Sequence, residues 1–149
     1  MTTAYPITDK RLIAVVQFYE ELSPEHLSQL EALYTPDAFF KDPFHEVRGH
    51  QAIAVIFHHM YASVNQPYFQ VLTAMAQGEE AFVRWQFHFR FKRNPSTEEI
   101  IEGVTHIRFA TDGRVQSHRD YWDAAEELYE RIPGLAVLMR WFKRMASSS

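Results

Sequence analysis

A chain of 149 residues and 17.5 kDa suits one domain with a real hydrophobic core. Its formal charge of −4 and pI near 6.0 argue against a nucleic-acid partner, and the lack of cysteine excludes disulfides, thiol catalysis and Cys-based zinc sites. Five glycines scattered at 49, 78, 103, 113 and 134 cannot cradle a phosphate or form a dinucleotide fingerprint, which argues against ATP, GTP and Rossmann-type NAD chemistry.

Thr8 or Asp9 is placed to cap a first amphipathic helix in which Leu12, Val15, Val16, Tyr19 and Leu22 recur at helical spacing. "SPEHLSQLEALY" opens a second helix with Ser23 as N-cap and Pro24 at its first position, and "TPD" at 35–37 ends it. The strand "AFFKD" follows and Pro43 closes it. From Gly49, "GHQAIAVIFHHMYASV" reads as a third helix with Ile53, Ile56, Phe57 and Met60 on one side.

The period then changes. "PYFQVLTAMAQ", "EAFVRWQFHFRFK", "EEIIEGVTHIRFAT" and "RVQSHRDYW" read as long strands joined by "GE", "RNPST" and "TDG" turns. In the second of them Val83, Trp85, Phe87, Phe89 and Phe91 alternate with Arg84, Gln86, His88, Arg90 and Lys92, giving one oily and one polar face. Asp123 and Glu126 resemble a capping pair for a short helix, Pro133-Gly134 breaks it, and "LAVLMRWFKRM" forms a last helix. The expected fold class is α+β: a single domain over 1–149, with helices packed on the concave face of a curved, mostly antiparallel sheet. Such a cone-shaped barrel leaves a hole between helices and sheet, the default ligand site.

The early strand, "DPF", the "RGHQAI" helix start and "IRFATDGRVQSHRDYWD" resemble the SnoaL-like and ketosteroid-isomerase-like branch of the nuclear transport factor 2-like superfamily, over roughly residues 8–131. That scaffold hosts isomerases, cyclases, epoxide hydrolases, dehydratases and non-enzymatic binders, so the resemblance implies fold more than activity. It implies that Asp42, the acid of the matching "DP", is a general base moving a proton beside a carbonyl. Apolar surroundings would suit that role by raising a carboxylate's pKa toward the operating pH. Strand alternation puts Ala38, Phe40 and Asp42 on one face; the alternative is an exposed turn position ahead of Pro43.

The ketosteroid-isomerase oxyanion donors, a helix tyrosine and a protonated strand aspartate, align with Phe18 and Thr105 here. Phenylalanine cannot donate and threonine is a weak acid, which argues against steroid isomerisation; Tyr19, one residue on, offers a replacement hydroxyl. "SHRDYWD" places His118, Asp120 and Trp122 at alternate positions of the last strand. SnoaL-type cyclases resemble the chain differently, with a catalytic acid near Asp120. Asp42, His118 and Asp120 therefore form the candidate acid–base set, unless His118 and Asp120 merely satisfy each other. Phe18, Tyr19, Phe40, Phe57, Tyr61, Trp85, Phe87, Thr105 and Trp122 are the candidate pocket walls.

Other features weigh less. "HEVRGH" has one residue too many for a zincin helix, and His58 and His59 point to different sides of their helix, so no metal is expected. No cofactor is expected either. His88 and His106, with Arg84, Arg90 and Arg108, fit an outer sheet face through which proteins of this superfamily often pair as homodimers. The basic last helix fits closure of the cone or a dimer contact better than a membrane surface. The chain shows no G-x-S-x-G motif, signal-peptide pattern or membrane-spanning apolar run, and a cytoplasmic protein is expected. Two functions follow: a cofactor-free acid–base enzyme acting on a small cyclic or polyketide-like carbonyl compound, or a ligand-binding or accessory protein on the same cone.

Overall fold

The computed structural model describes residues 3–127 and residue 144. The Pro133-Gly134 break and the expected last helix, apart from residue 144, lie outside the described residues. Helix α1 spans Lys10–Glu20; Asp9 is its N-cap, accepting a bond from the Arg11 backbone N–H at 2.9 Å. Leu12, Val15 and Val16 form its buried stripe. Ser23 stands before Pro24 as expected, but its side chain makes no capping bond. The chain winds instead as a 3-10 turn over Pro24–Gln29 and a single α-turn, α2, at Leu30–Leu33.

Strand β1 covers Tyr34–Lys41, starting well before the expected residue 38. Pro36 has no N–H for a ladder, and the β1–β6 pairing slips register between Tyr34 and Phe39 to accommodate it. The short β2, Glu46–Arg48, carries too little pattern to be seen in sequence. Helix α3 is His50–Ser63 and buries Ile53 and Phe57. Four strands follow: β3 Val64–Gln77, β4 Glu80–Phe91, β5 Asn94–Phe109 and β6 Val115–Tyr121. Four of the five residues of the expected "RNPST" turn, Asn94 to Thr97, are thus strand. A short helix, α4 at Ala124–Glu127, is started by Asp123, whose carboxylate accepts from the Glu126 N–H at 3.0 Å.

The six strands lie in the order β2-β1-β6-β5-β4-β3. All neighbours are antiparallel except β1 and β6, which run parallel. Helix α1 lies on β3, while α3 reaches both β1 and β3. This is the expected α+β architecture, a mixed sheet roofed by helices. The core runs between the layers through Leu12, Val16, Tyr34, Ile53, Val71 and Ile107, all nearly inaccessible. On β4, Val83, Trp85 and Phe89 are buried whereas Phe82 and Arg84 are exposed, so the alternating pattern divides the faces as read. His88 is buried even though its face is the outer one: Tyr68 stacks on its ring at 4.5 Å and Glu98 lies 3.4 Å from its Nδ1. Among the described residues no helix is long and apolar enough to cross a membrane.

Candidate active site

Between helices and sheet sits a narrow cavity of about 40 Å³. A water needs about 10–15 Å³ by this measure, so the space admits roughly two or three waters and no ring-sized compound without movement. Helix α1 contributes Val15, Val16 and Tyr19, and Phe57 comes from α3. The sheet supplies Phe40 from β1, Phe69 and Val71 from β3, and Val83 and Trp85 from β4. Its polar floor is Thr105 on β5 with His118 and Asp120 on β6.

Register explains the floor. Thr105 pairs directly with Asp120, and His118 lies between Ile107 on one side and Phe40 on the other. The Phe40 ring stacks on His118 at 4.5 Å. Gly103 pairs with Trp85, and a Cβ there would meet the indole at 2.4 Å. The missing side chain lets the indole lie across β5, so its Nε1–H donates to Thr105 Oγ1 at 2.8 Å. With one acceptor site filled, the threonine hydroxyl turns its hydrogen to Asp120 Oδ1 at 2.5 Å.

Asp120 Oδ1 also accepts from His118 Nε2 at 2.7 Å. An ionised carboxylate has no hydrogen to give, so the neutral ring carries its proton on Nε2 and presents a bare Nδ1. That nitrogen accepts from the Tyr34 hydroxyl at 2.8 Å. Tyr34 in turn is bonded to Tyr19, whose oxygen lies 3.4 Å from the same Nδ1. Burial raises the Tyr19 pKa well above that of an ordinary phenol, and the neighbouring Tyr34 and Asp120 add to it. Burial likewise raises Tyr34, and the Asp120 charge acts in the same direction. Both are therefore neutral hydroxyls. Tyr34 is held from behind by His50, whose Nε2–H donates to the Tyr34 carbonyl at 2.7 Å, where the bulge interrupts the ladder.

Asp42 lies elsewhere. Ala38 and Phe40 point into the core as alternation requires, but the carboxylate of Asp42 closes the turn into β2. Its Oδ1 accepts from the backbone N–H groups of Phe44 and His45, both at 2.7 Å, and His45 Nδ1 lies 3.0 Å from each carboxylate oxygen. With its lone pairs directed at the turn, this acid faces a separate depression at the strand ends, which it shares with Trp122. Asp120 lines both that depression and the inner cavity, and so stands between them.

Tyr19, Phe40, Phe57, Trp85, Thr105, His118 and Asp120 are thus brought together. Four other expected wall residues are not. Phe18 packs edge-on against Tyr19 from outside, and Phe87 is stacked between Phe69 and Phe89. Trp122 meets Phe44 edge-on, and the Tyr61 hydroxyl is buried away from the cavity with no partner among the described residues. Sequence reasoning missed Tyr34, Phe69 and Val71. Among the described residues no group of three or more His, Asp or Glu side chains is placed to hold a metal.

This helix-roofed sheet, with its polar floor on the last two strands, matches a known family. The model of the SnoaL-like domain aligns with residues 15–118. The chain belongs to the SnoaL-like domain family. No relative among proteins of curated function matches it. Among solved structures, this SnoaL-like protein superposes on a ketosteroid isomerase-like protein from Catenulispora acidiphila in complex with trimethylamine (TM-score 0.69, 17% identity, covering 82% of this chain and 92% of that one). It also superposes on an LEH-like epoxide hydrolase of M. tuberculosis (TM-score 0.66, 19% identity, 87% and 94% covered). A third match is TerC, co-crystallized with polyporic acid (TM-score 0.64, 17% identity, 78% and 92% covered). At these identities the likeness establishes the nuclear transport factor 2-like fold and not a shared reaction.

Proposed function

We propose that this SnoaL-like protein is a cofactor-free acid–base catalyst that moves a proton on a small, mainly apolar carbonyl compound, as in an isomerisation or ring closure. The observation that carries it is Asp120: Thr105 and His118 both bond its Oδ1, and among the described residues nothing bonds Oδ2. An acid oriented by two donors through one oxygen, with aromatic walls around it, suits a base that must strike one position. His118 steadies its charge. Because the cavity is narrow and Asp120 also borders the depression at the strand ends, the compound's reactive end would enter the cavity while its body lies along Asp42 and Trp122. That assigns Asp42 a place beside the substrate rather than the role of base. Neighbours on this fold include an epoxide hydrolase and a protein co-crystallized with polyporic acid, and both support small-molecule chemistry on this scaffold.

The test is deuterium incorporation next to the carbonyl of small cyclic ketones and diketones in heavy water, followed by NMR. The wild type should accelerate exchange for at least one compound, and Asp120→Asn should lose about a hundredfold or more, the usual worth of a positioned base. Acceleration that survives Asp120→Asn removes Asp120 from the role. No acceleration across the set leaves the second reading, a ligand-binding protein, which the mutually bonded His118 and Asp120 favour.

We further propose that two copies, in a cytoplasmic setting, pair through the outer sheet face. Met75, Phe82, Val104 and Tyr121 are exposed there, with register pairs linking Met75 to Phe82 and Val104 to Tyr121. Arg84 and Arg108 add charge, and Glu80 accepts from His106. Sedimentation should show a dimer that Phe82→Glu converts to monomer; a monomeric wild type removes this proposal.

A further inference from the structure

Resting on that reading of the cavity, we propose that Tyr19, Tyr34 and His118 form a proton wire with the Tyr19 hydroxyl as its cavity end. Tyr19 is then a second catalytic residue, and Tyr34, which touches no substrate, is a positioning and relay residue.

The direction of each bond sets the wire. With the His118 proton held on Nε2 by Asp120, Nδ1 takes the Tyr34 hydrogen. Tyr34 then has no hydrogen left for Tyr19, so Tyr19 donates to Tyr34 and turns a lone pair to the cavity it lines. In this resting state the polar atoms offered to a ligand, Tyr19 Oη and Asp120 Oδ2, are acceptors. A proton presented to Tyr19 is bound by that oxygen, whose own hydrogen crosses to Tyr34. Tyr34's hydrogen then crosses to Nδ1. One proton has entered; both tyrosines are again neutral, and the imidazolium lies between Tyr34 and the Asp120 carboxylate. The hydrogen on Tyr19 now points into the cavity. The same transfers in reverse return a proton to the compound, at the atom beside Tyr19 rather than the one beside Asp120. No oxidant, metal or co-reactant takes part.

The chain of bonds ends at the ring. The titratable groups facing His118 are Tyr19 from α1, Tyr34 from β1 and Asp120 from its own strand. Its other neighbours do not ionise: Phe40 from β1 stacks on the ring, β5 brings Ile107 opposite and Thr105 to the shared carboxylate, and α3 brings Phe57 to the cavity. His118 is 2% exposed and Tyr34 0%, so bulk water has no direct way to Nδ1. Burial disfavours either phenolate. Packing alone would be served by phenylalanine at position 34; the hydroxyl is explained by the nitrogen it serves.

Histidine-nitrogen NMR of the isotope-labelled whole chain tests this, with bulk water as the only probe. The neutral His118 ring should carry its hydrogen on Nε2 and show a hydrogen-bonded, unprotonated Nδ1. Tyr34→Phe should move the Nδ1 resonance toward that of free imidazole. Tyr19→Phe should leave the tautomer unchanged yet slow exchange of the imidazolium Nδ1 hydrogen with water about a hundredfold, the low end for a positioned proton carrier. A neutral ring protonated on Nδ1, or exchange indifferent to Tyr19→Phe, overturns the wire. The wild-type tautomer decides the first point even where a variant fails to fold. Since no substrate is needed, the wire can fail while Asp120 remains the base, and Asp120 can fail while the tautomer stands.

Discussion

Asp42 and Asp120 occupy matching places and have different fates. Each follows the last pair of the parallel β1–β6 ladder, Lys41 with Arg119, but β1 ends there whereas Asp120 goes on to pair with Thr105 of β5. Their side chains are about equally accessible, at 14% and 18%. What separates them is the origin of their donors. Asp42 is held by two backbone N–H groups of the next turn and by His45, which reaches both its oxygens. Asp120 is held by two side chains from the cavity floor, both on Oδ1. Backbone donors make a carboxylate part of the turn; side-chain donors on one oxygen aim the other. Burial alone does not distinguish the two acids.

The largest expected effect of breaking this pair is on rate. In the deuterium-exchange assay, Asp120→Asn should cost about a hundredfold whereas Asp42→Asn should change the rate only severalfold. The reverse order would restore Asp42 as the base and place Asp120 in support. Stability should respond the other way. Asp42→Ala removes the acceptor for two backbone N–H groups and should cost about 1–2 kcal/mol in denaturant unfolding. A loss near zero would mean that water replaces the carboxylate and that the turn does not depend on it.

Much of this was legible in the sequence, and the failures have local causes. The α1 stripe of Leu12, Val15 and Val16 and the alternation from Val83 to Phe89 are long periodic signals, and both hold. Tyr19 belongs to that same stripe, and it does line the cavity. Tyr34 was hidden because "LEALY" reads as a helix end. Counting back in twos from Phe40 and Ala38 across Pro36 reaches it, a signal that the proline obscures but the bulge preserves. Phe69 and Val71 alternate on β3 like their partners Phe87 and Trp85, and were passed over because the β4 pattern is louder. For Asp42 alternation was correct to Phe40 and failed one step later, since the strand ends at Lys41 and the turn takes the next residue. Hydrogen bonds between strands distant in sequence, such as Trp85 to Thr105 to Asp120, have no one-dimensional trace.

Asp9 gives the comparison a control, with the smallest expected effect. Like Asp42 it accepts a backbone N–H two residues ahead, here from Arg11 at 2.9 Å, but at a helix start instead of a turn. The Arg11 guanidinium also bonds it, and that side-chain bond is the main reason its pKa lies below the ordinary carboxylate value. Asp9→Ala should therefore cost about 1 kcal/mol, the usual worth of an N-cap. The sign of its pH dependence is set by that depressed pKa. The contribution is complete above the unfolded value near 3.8 and disappears as the pH falls through the native one. Unfolding curves of wild type and Asp9→Ala should then stand apart at neutral pH and converge in acid. If the gap persists below both values, the carboxyl group acts as a neutral hydrogen-bond partner, and the likeness between Asp9 and Asp42 as charged caps fails with it.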